Sequence, residues 1–282
     1  MVKVSWQSKL ILQAGLLLLS APVLPGQPSE FRFRTVRQLI VDQRLGTIPR
    51  GNRQRRERLI ELFQESGCPD LQTVPIRRSS HSNVVCQVTG RTSETILVGA
   101  HYDTVADSFG VVDNWAGASL LSSLQEALSA APSRYTFLFV GFAEEEKGLV
   151  GSKDFAAQLK KTGAIPRVMI NLDTLGLGTT SIWASRSDRR LVEYAANLGQ
   201  ALQIPMQILN VDGGYSSDSE SFRRIKVPVI TFHSLTQQTL PLLHTRKDNQ
   251  QALDRDSLYQ TYRLLAAYLE LLDRDWPPEQ KP

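Results

Sequence analysis

Residues 140–152 read Val-Gly-Phe-Ala-Glu-Glu-Glu-Lys-Gly-Leu-Val-Gly-Ser, the end of an apolar run followed by three successive carboxylates and a glycine-containing turn. The run from Thr136 to Phe142 is rich in branched and aromatic residues, the composition of a buried strand. Adjacent glutamates repel one another unless a cation stands between them. Side chains just past the carboxyl end of such a strand sit where open α/β sheets bind their ligands.

Outward from this stretch the pattern repeats. Asn83 to Val88, Thr95 to Ala100, Val168 to Leu172, Ser181 to Ala184 and Val229 to Phe232 read as further strands. Helical spacing occupies Asn114 to Ala130, Ser152 to Thr162, Asp188 to Gln203 and Asp254 to Leu272, the last with a core-facing stripe of Leu258, Tyr262, Leu265, Leu269 and Leu272. Arg37 to Glu65 also reads as helical, with Leu59, Ile60, Leu62 and Phe63 on one face. Strands alternating with helices predict an α/β fold: a single domain whose mostly parallel, mixed central sheet is flanked by helices on both faces.

The 282 residues, 41% hydrophobic and 21% charged, suffice for a full core. The net charge is only +4, and the cluster Arg53, Arg55, Arg56 and Arg58 has no interleaved aromatic residues. It reads as a solvated helix face, not a nucleic-acid surface. Lys3 and Lys9 precede an apolar run from Leu10 to Leu24, the layout of a secretory signal. The run is shorter than the roughly 20 residues of a spanning helix, and Gln13 and Pro22 interrupt it. No small-x-small cleavage site follows, so an uncleaved membrane anchor is the alternative. The expected organisation is therefore a signal peptide or anchor at 1–26, a domain at 27–275 and a disordered tail at 276–282, in an exported protein, periplasmic or extracellular. Cys68 and Cys86 are the only cysteines. Export would let them pair; two separate thiols are the alternative.

His101, the Glu145-Glu146 pair and Asp173 each follow a predicted strand, and Asp113 and His244 add a carboxylate and an imidazole. Zinc takes such N and O ligands, and two ions close together need a shared anion. One bridging carboxylate, with one His and one further carboxylate per ion, requires five residues: His101, Asp113, Glu146, Asp173 and His244. Glu145 is then free to act as general base. His81 and His233 read as ordinary loop or core residues, and Trp115 as a pocket or packing residue.

These segments, His101-Tyr102-Asp103, Asp113-Asn114-Trp115-Ala116-Gly117, Glu145 to Ser152, Asn171-Leu172-Asp173 and His244-Thr245, resemble in their order the metal motifs of the M28 family of zinc aminopeptidases, over roughly Arg37 to Leu272. The resemblance implies a zinc-dependent exopeptidase fold and two zinc ions, with Asp113 bridging, His101 and Asp173 on one ion, and Glu146 and His244 on the other. Cobalt or manganese would suit the same ligands. It implies a cis Asp113–Asn114 peptide. The Gly-Leu-x-Gly-Ser turn makes Glu145-Glu146, not Glu144-Glu145, the base and ligand pair, leaving Glu144 a surface or electrostatic role. Gly213 to Asp218 resembles the segment that supplies an oxyanion-binding tyrosine, here Tyr215, although Ser219 stands where the family often has His. Asp103 is expected to hydrogen-bond the far nitrogen of His101. The implied activity is hydrolysis of N-terminal residues from peptides with a free N terminus, by a water between the ions that Glu145 activates. A single-zinc glutaminyl cyclase, a carboxypeptidase and a non-catalytic binding module are the alternatives. No feature of the sequence sets an oligomeric state.

Overall fold

Eight strands form one sheet in the computed structural model, which describes residues 32–211 and 215–277. They are β1 (Asp70–Pro75), β2 (Ser82–Val88), β3 (Thr95–His101), β4 (Thr136–Phe142), β5 (Val168–Leu172), β6 (Thr180–Ile182), β7 (Met206–Ile208) and β8 (Val229–His233), in the spatial order β1-β2-β4-β3-β5-β8-β6-β7. The central β4, β3, β5 and β8 are parallel. On one side β2 runs antiparallel to β4 and β1 antiparallel to β2. On the other, β6 is antiparallel to β8 and pairs in parallel with β7.

The sheet is covered on both faces because its central strands are apolar at every second residue in both directions. Ile96, Val98 and Ala100 of β3 and Phe137 and Phe139 of β4 pack in the larger core, with residues of α3 (Ala116–Ser129) and α7 (Arg255–Asp275). Leu97, Leu138, Val140 and Phe142 point the other way, to Phe155 of α4 (Val150–Thr162) and Phe222 of α6 (Ser219–Arg223). Helices α1 (Gln38–Leu45) and α2 (Asn52–Glu65) lie against α3, and α5 (Arg189–Leu202) against α7. The connection β3-α3-β4 leads to one side of β3, whereas β4-α4-β5 returns over the opposite face to its other side. A crevice opens at the carboxyl ends of strands where the connections diverge in this way.

Several local expectations change. Arg37 to Glu65 is two helices, not one, because Gly46, Pro49 and Gly51 interrupt the pattern. Ser181 to Ala184 is strand only through Ile182, and Ala184–Arg186 forms a 3-10 turn. The half-exposed edge strands β1 and β7 carry polar residues and show no clean alternation, the composition that protects sheet edges. Trp276, assigned above to the tail, is buried; its ring lies edge-on to Tyr194 and its carbonyl accepts the Tyr135 hydroxyl at 2.7 Å. Residues 278–282 and the expected signal segment 1–26 lie outside the described residues. Among the described residues, no helix is long and apolar enough to cross a membrane.

Cys68, just beyond α2, and Cys86 in β2 form a disulfide across a sequence separation of 18. Closing a loop of this length stabilises a fold by about 3 kcal/mol through restriction of the unfolded chain. Urea unfolding with and without reductant should reveal that difference; an unchanged midpoint would mean the bridge constrains nothing.

Candidate metal centre

The parallel strands place their carboxyl ends side by side. His101 is the last residue of β3, Asp173 follows β5, and the three glutamates follow β4. Asp113 comes from the irregular segment Val111–Trp115 that leads into α3, and His244 from the loop after β8. His101 Nε2 lies 3.1 Å from Asp113 Oδ1 and 3.8 Å from Asp173 Oδ1. His244 Nε2 lies 3.4 Å from Asp113 Oδ2 and 2.9 Å from Glu146 Oε2. The two oxygens of Asp113 therefore face different imidazoles. Potential ligand atoms fall into two triads that share Asp113, His101-Asp113-Asp173 and Asp113-Glu146-His244, with the atoms of each within 4.8 Å of one another. Glu146 Oε1 is buried without a hydrogen-bond partner. This N and O donor set, with an orphaned buried carboxylate oxygen, fits a pair of divalent cations.

The Asp113–Asn114 peptide is cis. The Asn114 amide donates to Leu172 O at 2.7 Å and accepts the Thr174 N–H at 3.2 Å, fastening the segment to the end of β5. A Cβ on Gly117 would lie 2.4 Å from Asn114 Oδ1, so a larger residue there would push that amide aside. Trp115 only packs: it is fully buried and its Nε1–H donates to Leu45 O at 3.0 Å.

Asp103 has a task beyond the one expected. Its oxygens accept the backbone N–H groups of Glu145 at 3.1 Å and Glu146 at 3.2 Å. His101 Nδ1, at 3.6 Å, has no hydrogen-bond partner. A carboxylate bound by two adjacent N–H groups is well satisfied, so Asp103 holds the glutamate pair, while its Oδ1 stays within ion-pair distance of the His101 ring but beyond hydrogen-bond length. Glu144, given a surface or electrostatic role above, is buried; it turns away at φ 57° and pairs with Lys147 Nζ at 2.8 Å and His81 Nδ1 at 3.2 Å. Glu145 and Glu146 line the pocket.

Tyr215 also lines it and is 41% exposed; the neighbouring Gly213 and Gly214 lie outside the described residues. Ser219 fills its position with a hydroxyl chain, 3.0 Å from Ser217 Oγ and 2.8 Å from Thr231 Oγ1 in the pocket wall. Sequence reasoning did not identify Trp183, Val211 or His233 as wall residues. Trp183, Val211 and Leu235 form an apolar cluster with Leu240 and Leu243. The His233 ring nitrogens lie 2.7 Å from Leu209 O and 3.1 Å from the Leu235 N–H, and burial lowers the pKa of the ring. His233 ends a strand beside β5, and that position was the available signal.

Taken by themselves, the clustered acids and imidazoles distort one another. Burial pushes Glu145 up to about 10 against the pull of His101, with Asp218 and Asp173 adding repulsion. Burial and the Asp113 charge raise Glu146 to about 7. The hydrogen bond to Asp113 raises His244 to about 9. Burial opposes ionisation of Asp113, yet His101 and His244 hold it below the ordinary carboxylate range. A group with a raised folded pKa stabilises the fold below its unfolded pKa and loses that contribution as pH climbs through the folded value. Glu146 therefore withdraws stability between pH 4.5 and about 7, and His244 between 6.5 and about 9. In chelator the urea midpoint should fall from pH 5 to pH 9, and zinc should restore more of it at the higher pH, because a metal must displace these protons. A rising midpoint in chelator would contradict this assignment.

The chain belongs to peptidase family M28: the family model matches residues 83–269. Aminopeptidase YwaD of Bacillus subtilis (strain 168) is 27% identical over 195 residues, covering 66% of this chain and 43% of that protein. The chain spans about half the length of the curated relatives it matches. Among solved structures, BSAP, a zinc aminopeptidase from Bacillus subtilis, superposes with a TM-score of 0.62 at 22% identity, over 71% of this chain and 52% of that one. A Porphyromonas gingivalis glutaminyl cyclase gives 0.67 at 18% identity, over 83% and 96%. Both likenesses are of fold.

Proposed function

We propose that this protein is a di-zinc aminopeptidase that releases apolar N-terminal residues from peptides. The observation that carries this reading is the pair of ligand triads joined through the two oxygens of Asp113, with one further pocket carboxylate, Glu145, left over. His101 and Asp173 would hold one ion, Glu146 and His244 the other, and Asp113 both. Two divalent ions held there supply Lewis-acid polarisation of the scissile carbonyl and a water of lowered pKa.

Glu145 takes the proton of the attacking water and passes it to the departing amine. Asp103 keeps that carboxylate aimed by holding the N–H groups of residues 145 and 146. The Tyr215 hydroxyl donates to the developing oxyanion. Trp183, Val211, Leu235 and Leu243 form an apolar wall for the first side chain of the substrate. Export, with residues 1–26 as signal or anchor, belongs to the same proposal.

The test is mass spectrometry of a peptide mixture, half with free and half with acetylated N termini, incubated with the zinc-loaded protein. Stepwise loss of apolar N-terminal residues from the free peptides alone is expected. Loss of ammonia from N-terminal glutamine would replace this reading with a cyclase, and C-terminal trimming with a carboxypeptidase. Unaltered peptides despite bound zinc would indicate a binding module.

A further inference from the structure

Two charged side chains that the proposed chemistry does not use are completely buried beside the Asp113 segment: Arg55 of α2, which turns inward and does not share the solvated face expected for its arginine cluster, and Asp248, four residues beyond His244. Burying a charge is costly unless it is fully hydrogen-bonded. Arg55 Nη2 donates to Phe109 O at 2.6 Å and Gly110 O at 3.0 Å, Nη1 to Tyr102 O at 3.3 Å, and Nε to Pro49 O at 3.0 Å. Asp248 Oδ1 accepts the Val112 N–H at 2.7 Å, and Oδ2 accepts the Asp113 N–H at 3.1 Å and the Ser108 hydroxyl at 3.5 Å.

The cation thus takes the carbonyls of residues 109 and 110, and the anion takes the N–H groups of residues 112 and 113. Opposite charges grip one short segment from its two ends. Gly110 makes the approach feasible: its φ is 53°, and a Cβ there would lie 2.9 Å from Arg55 Nη2 and 2.3 Å from Thr104 Oγ1. Two satisfied core charges would need no such convergence. Here they converge on the segment that carries the carboxylate facing two imidazoles, Arg55 on residues 109 and 110 and Asp248 on residues 112 and 113.

We infer that Asp248, with Arg55 opposite, is a positioning residue for the shared carboxylate. By holding the Asp113 N–H, it sets the direction in which the Asp113 side chain leaves the backbone. Because Asp248 and His244 share one loop, the same bond keeps a ligand of one ion in register with the ligand of both. The inference rests on the di-metal reading and adds a consequence: the affinities for the two ions change together when Asp248 changes, although Asp248 is in neither ligand triad.

Asp248→Asn tests it, because the amide keeps the size and one acceptor but leaves one of the two N–H groups facing a donor. Cobalt is titrated into the metal-stripped full-length protein and followed by calorimetry and by the visible absorption of the bound ions. Urea unfolding of the same metal-free samples is measured alongside. Wild type should bind two equivalents. In the variant both dissociation constants should rise about 10- to 100-fold, with an altered visible spectrum at saturation. Unchanged constants with a lowered urea midpoint would reduce Asp248 to a structural role and overturn the inference, as would weakening of one ion alone. If Asp248→Asn does not fold, Arg55→Lys, which keeps the charge but not the reach to several carbonyls, should raise both constants; unchanged constants there overturn the inference equally. Fewer than two equivalents bound by wild type would overturn the di-metal reading itself, and the inference with it.

Discussion

Glu145→Gln should lower kcat by about 10²- to 10⁴-fold, the usual contribution of a general base, while two equivalents of metal stay bound. The reason is its place outside both ligand triads, although it lines the same pocket as their members. Glutamine preserves the shape and the Asp103 contacts to the backbone but cannot accept a proton. Burial favours the neutral acid, with His101 opposing, and neighbouring dications would favour the carboxylate further. The assay is hydrolysis of a chromogenic leucine amide, together with elemental analysis of the purified variant. If the variant loses metal instead, Glu145 is a ligand and the roles of the two glutamates are exchanged.

Asp113→Ala should release both ions and with them all activity. Each triad contains Asp113, so its removal leaves two ligands per ion, one imidazole and one carboxylate. It also removes the hydrogen bond that chiefly raises the pKa of His244, so that ring should titrate at lower pH in the variant, whereas His101, raised against burial by Glu145 first and by Asp103 before Asp113, should move less. Asp173→Asn is the contrasting change, since Asp173 belongs to one triad only, and should weaken one ion while sparing the other. Elemental analysis and circular dichroism of the two variants separate metal loss from unfolding. Two ions retained by folded Asp113→Ala would eliminate the bridge.

Legibility in the sequence followed physical locality. The central strands were readable because each is a short apolar run between polar boundaries, and burial on both faces makes such runs continuous. The ligand candidates were readable because three of the strand-end positions hold His101, Glu146 and Asp173. The edge strands β1 and β7 were not, since half-exposed strands lack that signature. Two inferences from local spacing were incomplete for one reason. Asp103, two residues from His101, was assigned to that ring, which it approaches only to 3.6 Å, while its carboxylate accepts the backbone N–H groups of residues 145 and 146. Glu144, beside the base, was given a surface or electrostatic role, and only the folded chain decides between them: a left-handed backbone turns it into a buried, electrostatic pairing with Lys147 and His81.

The sequence by itself determined the alternating strands and helices, the edge of the sheet on which the polar groups gather, and the order of the metal-ligand candidates, because all of these follow from periodicity and from residue type at strand ends. Tertiary structure alone decided the pairing of Cys68 with Cys86, the apolar wall of Trp183, Val211, Leu235 and Leu243, and the convergence of Arg55 and Asp248 on the Asp113 segment. Asp248 and Asp113 are 135 residues apart in the chain. A hydrogen bond over that separation leaves no trace in local pattern, and exists only once the sheet has brought two loops to one edge.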